Sequence, residues 1–369
     1  MKMFEQKYVS MVPGPTQVNP KILQALSQQI VTHLHKDWSP YYREVCKKMG
    51  KVCLTSGEVY LMASSGTGAM EAALSSTLEP GEKVLVLTNG HFGDRIAMIA
   101  QRYHLETEIL HFPVNESVRP EALKERLGKG LGDLVAVSVV QSESQNGILN
   151  PIKELAAICN GYQIPLIVDT VSALGGVEFR MDEWGVDIAV SATQKCLGSV
   201  VGISVVAVND KSWKFIEKKQ GTGYYFNLNC WRDSMHHNII HPHPCSMSES
   251  LIFSVDAAAD LILEEGLENR WKRHGDLYEY YARELKKLGF EMFVPRQDAC
   301  PTVISINKHP KITIDDFRNR LKNEYGILIG VGIHEQQGKI WRIGNMAEQA
   351  TKDKAENLVA AVSGIVKTL

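Results

Sequence analysis

The sequence lacks the features that mark several specialised classes of protein. None of its seven cysteines forms a Cys-x-x-Cys pair or a zinc-like spacing, which favours reduced thiols over a zinc module or a disulfide framework. The first twelve residues lack the apolar core of a signal peptide, and no run approaches a membrane span in length. A net charge of −2 gives no reason to expect nucleic acid or a membrane surface as a partner. These absences predict a cytoplasmic location.

The composition is that of an ordinary globular protein with a large core. The chain has 369 residues, of which 44% are hydrophobic and 22% charged, enough for two domains or one large one. Short apolar runs at residues 83–88, 134–140 and 166–168 alternate with helical patterns near 120–127 and 152–160. Such alternation predicts βαβ units, and therefore an α/β fold with a mostly parallel sheet flanked by helices.

The pattern changes after residue 208. Residues 220–244 are rich in aromatic residues, His, Asn and Pro without a regular period. A long segment of this kind predicts an ordered excursion with a functional or interfacial role, and we favour a hydrogen-bonded interface loop over a metal site for its histidines. Further on, short strands, the first near 290–294, alternate with helices. We predict an N-terminal segment over 1–16, a large domain over 17–253 and a smaller α+β domain over 254–369.

Two charged residues follow apolar strands in the middle of the chain. Asp169 ends the run that begins at Ile164, and Lys195 comes shortly after the run 188–190. Because ligands of open α/β sheets bind outside the carboxyl ends of the strands, both side chains can reach one crevice. A lysine that forms a Schiff base and a carboxylate that holds a pyridinium nitrogen are what pyridoxal phosphate requires. The alternative is a turn-capping aspartate and a solvated lysine.

A turn of small residues adds a candidate phosphate site. Ser65-Gly-Thr-Gly68 lies between a predicted strand and a predicted helix. Small residues let backbone N–H groups approach a phosphate, and a helix N-terminus favours its negative charge. Because Gly/Ser turns are common at such junctions, the motif by itself is weak evidence. It matches neither the P-loop nor the dinucleotide-binding fingerprint.

Ordered matches along almost the whole chain resemble one family. The matching segments are Pro13-Gly-Pro-Thr16, Ser65-Gly-Thr-Gly-Ala-Met-Glu-Ala-Ala-Leu74, Glu79-Pro-Gly81, Asn89-Gly-His-Phe-Gly-Asp-Arg95, Val168-Asp-Thr-Val-Ser-Ala-Leu-Gly-Gly176, Gly185-Val-Asp-Ile188, Gln194-Lys195, Glu265-Gly-Leu-Glu-Asn269 and Trp341-Arg-Ile-Gly344. The sequence resembles the class V aminotransferases of pyridoxal phosphate fold type I, most of all the alanine–glyoxylate and serine–pyruvate aminotransferases. The resemblance implies a seven-stranded type of sheet, bound pyridoxal 5'-phosphate and a homodimer with its active site at the interface.

The resemblance also implies a role for particular residues. Lys195 resembles the Schiff-base lysine, and Asp169 resembles the partner of the pyridine nitrogen. Arg342 resembles the arginine that binds the substrate carboxylate, with Gly14 beside the substrate. The remaining cofactor contacts that it implies are Thr67, Gly68, Ala69 and Gln194 for the phosphate, Phe92 for ring stacking, Ser144 near the ring hydroxyl, and Ser246 reaching the phosphate from a partner subunit.

The predicted function is transamination between a small amino acid, such as alanine or serine, and a small 2-oxo acid, such as glyoxylate or pyruvate. Transamination of 2-aminoethylphosphonate, ureidoglycine or pyridoxamine is the first alternative. A class V lyase or desulfurase is the second, for which Cys230 or Cys245 would have to act as nucleophile. A non-catalytic protein of the same fold is the third, and the intact Lys195, Asp169 and Arg342 argue against it. The run Gln141-Ser-Glu-Ser-Gln-Asn-Gly147 departs from the family pattern, so we expect a retuned pocket.

Overall fold

The computed structural model describes residues 8–238 and 241–369, so residues 1–7 of the predicted N-terminal segment and 239–240 of the excursion lie outside the description. Its strands are β1 (Val9–Met11), β2 (Glu58–Met62), β3 (Lys83–Thr88), β4 (Glu106–His111), β5 (Leu134–Val140), β6 (Ser142–Glu143), β7 (Ile148–Leu149), β8 (Leu166–Asp169), β9 (Ile188–Ala192), β10 (Ser204–Val208), β11 (Val303–Asn307), β12 (Ile327–Val331) and β13 (Ile340–Gly344). Its α-helices are α1 (Pro20–Leu26), α2 (Trp38–Cys53), α3 (Gly66–Thr77), α4 (His91–Arg102), α5 (Pro120–Gly128), α6 (Ile152–Gly161), α7 (Met181–Trp184), α8 (Trp213–Ile216), α9 (Leu228–His237), α10 (Glu249–Glu265), α11 (Leu267–Lys287), α12 (Ile314–Tyr325) and α13 (Lys352–Val366).

A seven-stranded sheet forms the centre of the molecule. Its strand order is β2-β10-β9-β8-β5-β3-β4, and β10 runs antiparallel to both of its neighbours while the other pairs are parallel. The central strands are runs of Val, Ile, Leu and Ala that are buried on both faces, as parallel strands covered by helices must be. The predicted α/β class with a mostly parallel sheet is confirmed.

A second sheet of four strands joins the two ends of the chain. Its order is β1-β12-β13-β11, with β1 parallel to β12. Its core holds Trp341, whose ring lies 4.5 Å from that of Phe317 and whose indole N–H donates to Ile314 O at 3.0 Å. Pairing of β1 with β12 brings the segment around Pro13 to the end of the inner strand β9, where the Pro13 carbonyl contacts Lys195. The domain boundaries at 16/17 and 253/254 stay predictions, and α10 runs through the second.

Two local predictions are wrong. The segment 220–244 was expected to be a loop without regular structure, but it contains the helix α9. The Asn227 side chain caps the first turn of this helix, and Trp231 is fully buried beside Tyr60. The predicted strand at 290–294 is absent, and only an isolated bridge joins Met292 to Ile306.

The histidines of the excursion that have described contacts are held by protein groups. His243 is buried, accepts a hydrogen bond from the Trp38 indole N–H at 2.9 Å and donates to Cys245 O. His236 pairs with Glu58. Within the described ranges, no group of three or more His, Cys, Asp or Glu side chains is placed to hold a metal ion. No described helix is long and apolar enough to cross a membrane.

Candidate active site

A cavity of about 210 Å³ opens at the carboxyl ends of the central strands. Asp169 is the last residue of β8, and Lys195 lies three residues beyond the end of β9. Because β8 and β9 are adjacent and parallel, both side chains reach the same space. The lining consists of Ser65, Gly66, Thr67, Met70, Phe92, Arg95, Ile96, Ile99, Val140, Ser142, Asp169, Val171, Ser172, Gln194 and Lys195. Five of the predicted site residues, from four separate segments, therefore meet in one cavity.

The Asp169 carboxylate is held at the cavity wall. Its Oδ1 accepts the backbone N–H of Val171 at 2.8 Å, which fixes the side chain in the turn after β8. Burial raises the pKa of Asp169 to about 6, while the Val171 N–H and the charges of Lys195 and Arg95 act in the opposite direction. A cation bound against this carboxylate would stabilise its ionised form. The site is therefore suited to holding a protonated ring nitrogen.

The Lys195 amine is in a partly desolvated environment. Its Nζ donates a hydrogen bond to Pro13 O, across 182 positions of sequence. Burial, with the nearby Arg342 charge, lowers the pKa of Lys195 to about 8. A neutral amine is therefore accessible near physiological pH, as a nucleophile or general base requires.

Gly14 packs directly on the lysine side chain. Its φ is +84°, and a Cβ at this position would lie 2.4 Å from Lys195 Cδ and 2.8 Å from Nζ. Only glycine suits both the backbone conformation and the space. Gly14 therefore lies against Lys195 rather than in the cavity lining.

The turn that the sequence predicts to bind phosphate lies at the start of α3. No described residue accepts the N–H groups of Gly66, Thr67 or Gly68, which leaves free donors at the helix N-terminus. A Cβ on Gly66 would lie 2.5 Å from Val171 Cγ2, so the turn packs closely on the strand ends. Ala69 is fully buried and its N–H donates to Ser65 O at 3.2 Å. Neither Gly68 nor Ala69 is among the cavity-lining residues.

The side chain of Gln194 is an unpaired amide in the cavity wall. Its Oε1 is buried without a partner among the described residues, and its Nε2 makes no described hydrogen bond. Buried amides normally find partners. A polar ligand in the cavity would satisfy this one.

Phe92 lies in the first turn of α4 and faces the cavity. The Arg95 guanidinium lies over its ring, 4.8 Å from the centroid, and lines the same cavity. Sequence reasoning gave Arg95 no role, although its spacing of three from Phe92 places both on one helical face. It also gave none to Ser142, which lines the cavity where Ser144 was expected.

Arg342 lies on β13, beside the cavity but not in its lining. Its Nη1 donates to Ser144 O at 2.6 Å and its Nε to Val331 O at 2.9 Å, which leaves Nη2 without a described partner. Burial lowers the pKa of Arg342 to about 10, and the charge of Glu143 opposes the shift. The guanidinium thus stays charged and has a free edge for a carboxylate.

Two further predicted cofactor contacts, besides Gly68 and Ala69, lie outside the cavity lining. The Ser144 side chain is buried outside the lining, and its backbone oxygen instead holds Arg342. Ser246 is exposed at the surface of this chain. Their proposed roles toward the cofactor stay predictions.

Comparison with known proteins identifies the family. The sequence matches the family described as aminotransferase class-V over residues 13–353. An uncharacterized aminotransferase of Methanocaldococcus jannaschii is 36% identical, over 94% of this chain and 89% of that protein. The alanine–glyoxylate aminotransferase of Rattus norvegicus is 30% identical, over 95% of this chain and 85% of that one. The crystal structure of ureidoglycine–glyoxylate aminotransferase from Bacillus subtilis superposes with a TM-score of 0.94 at 26% identity, covering 100% of this chain and 95% of that one.

These matches extend over nearly the full length of both partners and confirm the family, fold type and cofactor predicted from the sequence. The chain therefore belongs to the class-V aminotransferases, which are pyridoxal phosphate-dependent enzymes.

Proposed function

We propose that the protein catalyses transamination between a small amino acid, such as alanine or serine, and a small 2-oxo acid, such as glyoxylate or pyruvate. The observation that carries the proposal is the shared cavity of Asp169 and Lys195, with Arg342 beside it. Similarity to an alanine–glyoxylate aminotransferase supports the choice of substrates.

The residues of the cavity fit pyridoxal phosphate. Asp169 would hold the ring nitrogen, the Phe92 ring would stack on the pyridine, and Lys195 would attach the aldehyde. The free N–H groups at the start of α3, the Thr67 side chain and the unpaired Gln194 amide would take the phosphate. When bound, the cofactor supplies an electron sink that stabilises negative charge at the substrate Cα.

Lys195 would move the proton during the reaction. When it is not bonded to the cofactor, Lys195 Nζ would act as a base next to the substrate Cα, and its lowered pKa favours proton uptake and release near neutral pH. The carbonyl of Pro13, to which Nζ donates, orients the amine. Lys195 would carry a proton between the substrate Cα and the cofactor, in one direction for the amino acid and in the other for the 2-oxo acid.

Arg342 would orient both substrates through their carboxylates. Val331 O and Ser144 O fix two of its donors, which presents the free Nη2 edge in a defined direction. Holding the carboxylate in this way sets the Cα–H bond relative to Lys195, and such orientation accounts for much of enzymatic rate acceleration.

The first test replaces the lysine. Lys195→Ala removes the amine, while Lys195→Arg keeps a cation that cannot deprotonate at neutral pH. We expect both variants to keep the fold by circular dichroism and to lose turnover of alanine with glyoxylate. Turnover retained by Lys195→Ala would refute the proposal. A panel of amino donors, including 2-aminoethylphosphonate, ureidoglycine and pyridoxamine, with glyoxylate and pyruvate as acceptors would then identify the substrate pair.

The desulfurase alternative requires a reactive thiolate near the cavity. Burial raises the pKa of both Cys230 and Cys245, so both thiols are protonated at neutral pH. Neither lines the cavity. These observations favour transamination.

We further propose that the protein is a cytoplasmic homodimer. Leu23, Ile30, Val31 and Leu34 are exposed over one short stretch, and large apolar side chains clustered at a surface mark interaction sites. The exposed Ser246 agrees with a contact to the partner's cofactor. Replacing Leu34 with Asp is expected to shift the sedimentation coefficient toward that of a monomer, whereas a wild-type monomer would contradict the proposal.

The proposed cytoplasmic location agrees with the seven free cysteines, which suit a reducing compartment.

A further inference from the structure

Glu143 is a buried carboxylate that the proposed chemistry does not use. It is fully shielded from solvent, in a run of six consecutive buried polar residues, 141–146. Its Oε2 accepts the backbone N–H groups of Phe92 at 2.9 Å and Gly93 at 3.2 Å. Its Oε1 accepts the N–H of Gln145 at 3.0 Å. One carboxylate therefore connects two segments that border the cavity.

Helix α4 has no cap of its own. Its N-cap residue is Gly90, which has no side chain to accept the free N–H groups of the first turn. Glu143 accepts two of them, and Gln145 Oε1 accepts the third, from His91, at 2.6 Å. The negative charge also interacts favourably with the helix dipole. The first turn of α4, and with it Phe92, is thus fixed by a loop more than fifty residues away.

The contact between Gly90 and Glu143 is close. A Cβ on Gly90 would lie 2.6 Å from Glu143 Cγ and 2.8 Å from Cδ. The backbone of Gly90 is extended, so the need for glycine is steric. A capping serine or aspartate at position 90 would therefore displace Glu143.

Burying the charge of this carboxylate is unfavourable, so its position in the core indicates a specific role. Burial raises the pKa of Glu143 to about 7, even though the N–H groups of Gln145, Gly93 and Phe92 oppose the shift. A side chain that only filled this space would be more stable if it were uncharged. The ionised carboxylate accepts three backbone hydrogen bonds, which indicates that its role is to hold these backbone segments in place.

We propose that Glu143 is a positioning residue that holds the Phe92 ring in the orientation that stacks on the cofactor. The inference rests on the proposed function, in which Phe92 contacts the pyridine. Ser144, the next residue, holds Arg342 through its backbone oxygen, so the same loop also positions the substrate clamp.

The test compares Glu143→Ala and Glu143→Gln with a matched control. Asp187 is another buried carboxylate that accepts a backbone N–H, from Leu166 at 2.9 Å, but it lies before β9, at the opposite end of the strands from the cavity. Asp187→Asn therefore controls for loss of stability alone. We would measure amide hydrogen exchange of Phe92 and Gly93 in the apoprotein, the affinity for pyridoxal phosphate, the visible circular dichroism of the bound cofactor, and kcat and KM.

For Glu143→Ala we expect exchange at Phe92 and Gly93 to rise by about tenfold or more, since a hydrogen bond to a charged group is worth at least that factor. Cofactor affinity and kcat should fall, and the visible dichroism should change. Glu143→Gln should show smaller changes in exchange, cofactor affinity, kcat and dichroism than Glu143→Ala, because the glutamine carbonyl oxygen can still accept from both amides. Asp187→Asn should lower the melting temperature and leave these four measurements unchanged.

A second perturbation approaches the same contact from the other side. Gly90→Ala should reproduce the changed dichroism by pushing Glu143 away, and adding it to Glu143→Ala should have little further effect. Normal exchange and dichroism in Glu143→Ala would overturn the inference, as would additive effects in the double variant. Because the exchange measurement uses the apoprotein, it stays informative if Lys195→Ala contradicts the proposed function.

Discussion

Replacing Gly14 with alanine would put a methyl group where the side chain of Lys195 lies. The new Cβ would be 2.4 Å from Lys195 Cδ, so the lysine chain must retreat by about 1 Å to reach van der Waals distance. A misplacement of about 1 Å costs roughly 10²-fold in rate when it affects a reacting group. The left-handed φ of +84° adds a conformational cost of about 1 kcal/mol to folding.

Gly81 provides a matched control. Its φ is +88°, yet a Cβ there would have no atom within 4 Å. Gly81→Ala therefore carries the same backbone cost of about 1 kcal/mol without a contact to the active site. Thermal unfolding should show the backbone cost in both variants and an additional loss in Gly14→Ala from the displaced lysine. Alanine–glyoxylate turnover should fall by about 10²-fold only in Gly14→Ala.

The covalent attachment of the cofactor gives an independent readout of the same displacement. The visible absorbance of the purified Gly14→Ala variant should show less bound pyridoxal phosphate than that of Gly81→Ala at equal cofactor concentration. If the two variants match in turnover and absorbance, then Gly14 does not position Lys195.

Three further predictions concern ionisable groups of the site. Asp169→Asn should reduce turnover by about 10²-fold or more, measured at saturating cofactor, because a neutral amide stabilises a protonated ring nitrogen poorly. The rate at which the apoprotein takes up pyridoxal phosphate covalently, followed by stopped-flow absorbance, should rise with pH and level off above the Lys195 pKa of about 8, since only the neutral amine attacks. Because the folded-state pKa of Glu143 is raised to about 7 from 4.5, its favourable contribution to stability is complete below pH 4.5 and is lost as the pH rises through 7. The charged groups that face Glu143 are Asp169 and Arg342. Between pH 4.5 and above pH 7, the free energy of unfolding of the wild-type apoprotein, measured with denaturant, should fall by about 3 kcal/mol relative to that of Glu143→Gln. A difference between the two proteins that does not change with pH would contradict the raised pKa of Glu143.

Local sequence patterns predicted much of the large sheet and half of the site. Apolar β-branched runs determine buried strands, and the rule that ligands bind at their carboxyl ends placed Asp169 and Lys195 together. These inferences succeed because they depend on contacts within one strand or between adjacent parallel strands.

The features that sequence reasoning missed depend on distant contacts. Helix α9 is stabilised by burying Trp231 against the large core, which local periodicity does not report. Pairing of β1 with β12 joins residues about 318 positions apart, and it brings Pro13 to the amine of Lys195. Nothing in the local sequence of either segment specifies that partner.

The unusual run 141–147 shows how a departure from a family pattern can act. We expected Gln141 and Asn146 to retune the pocket, but neither lines the cavity. Gln141 Nε2 donates to Glu178 O at 2.9 Å, and Asn146 Nδ2 donates to Asn89 O at 2.9 Å. Gln145 connects the N–H of His91 to the carbonyl of Ile333. The side chains that differ from the family pattern thus form hydrogen bonds to backbone groups. We therefore expect them to affect catalysis by shifting the Phe92 turn and Arg342, and not by adding new functional groups to the cavity wall.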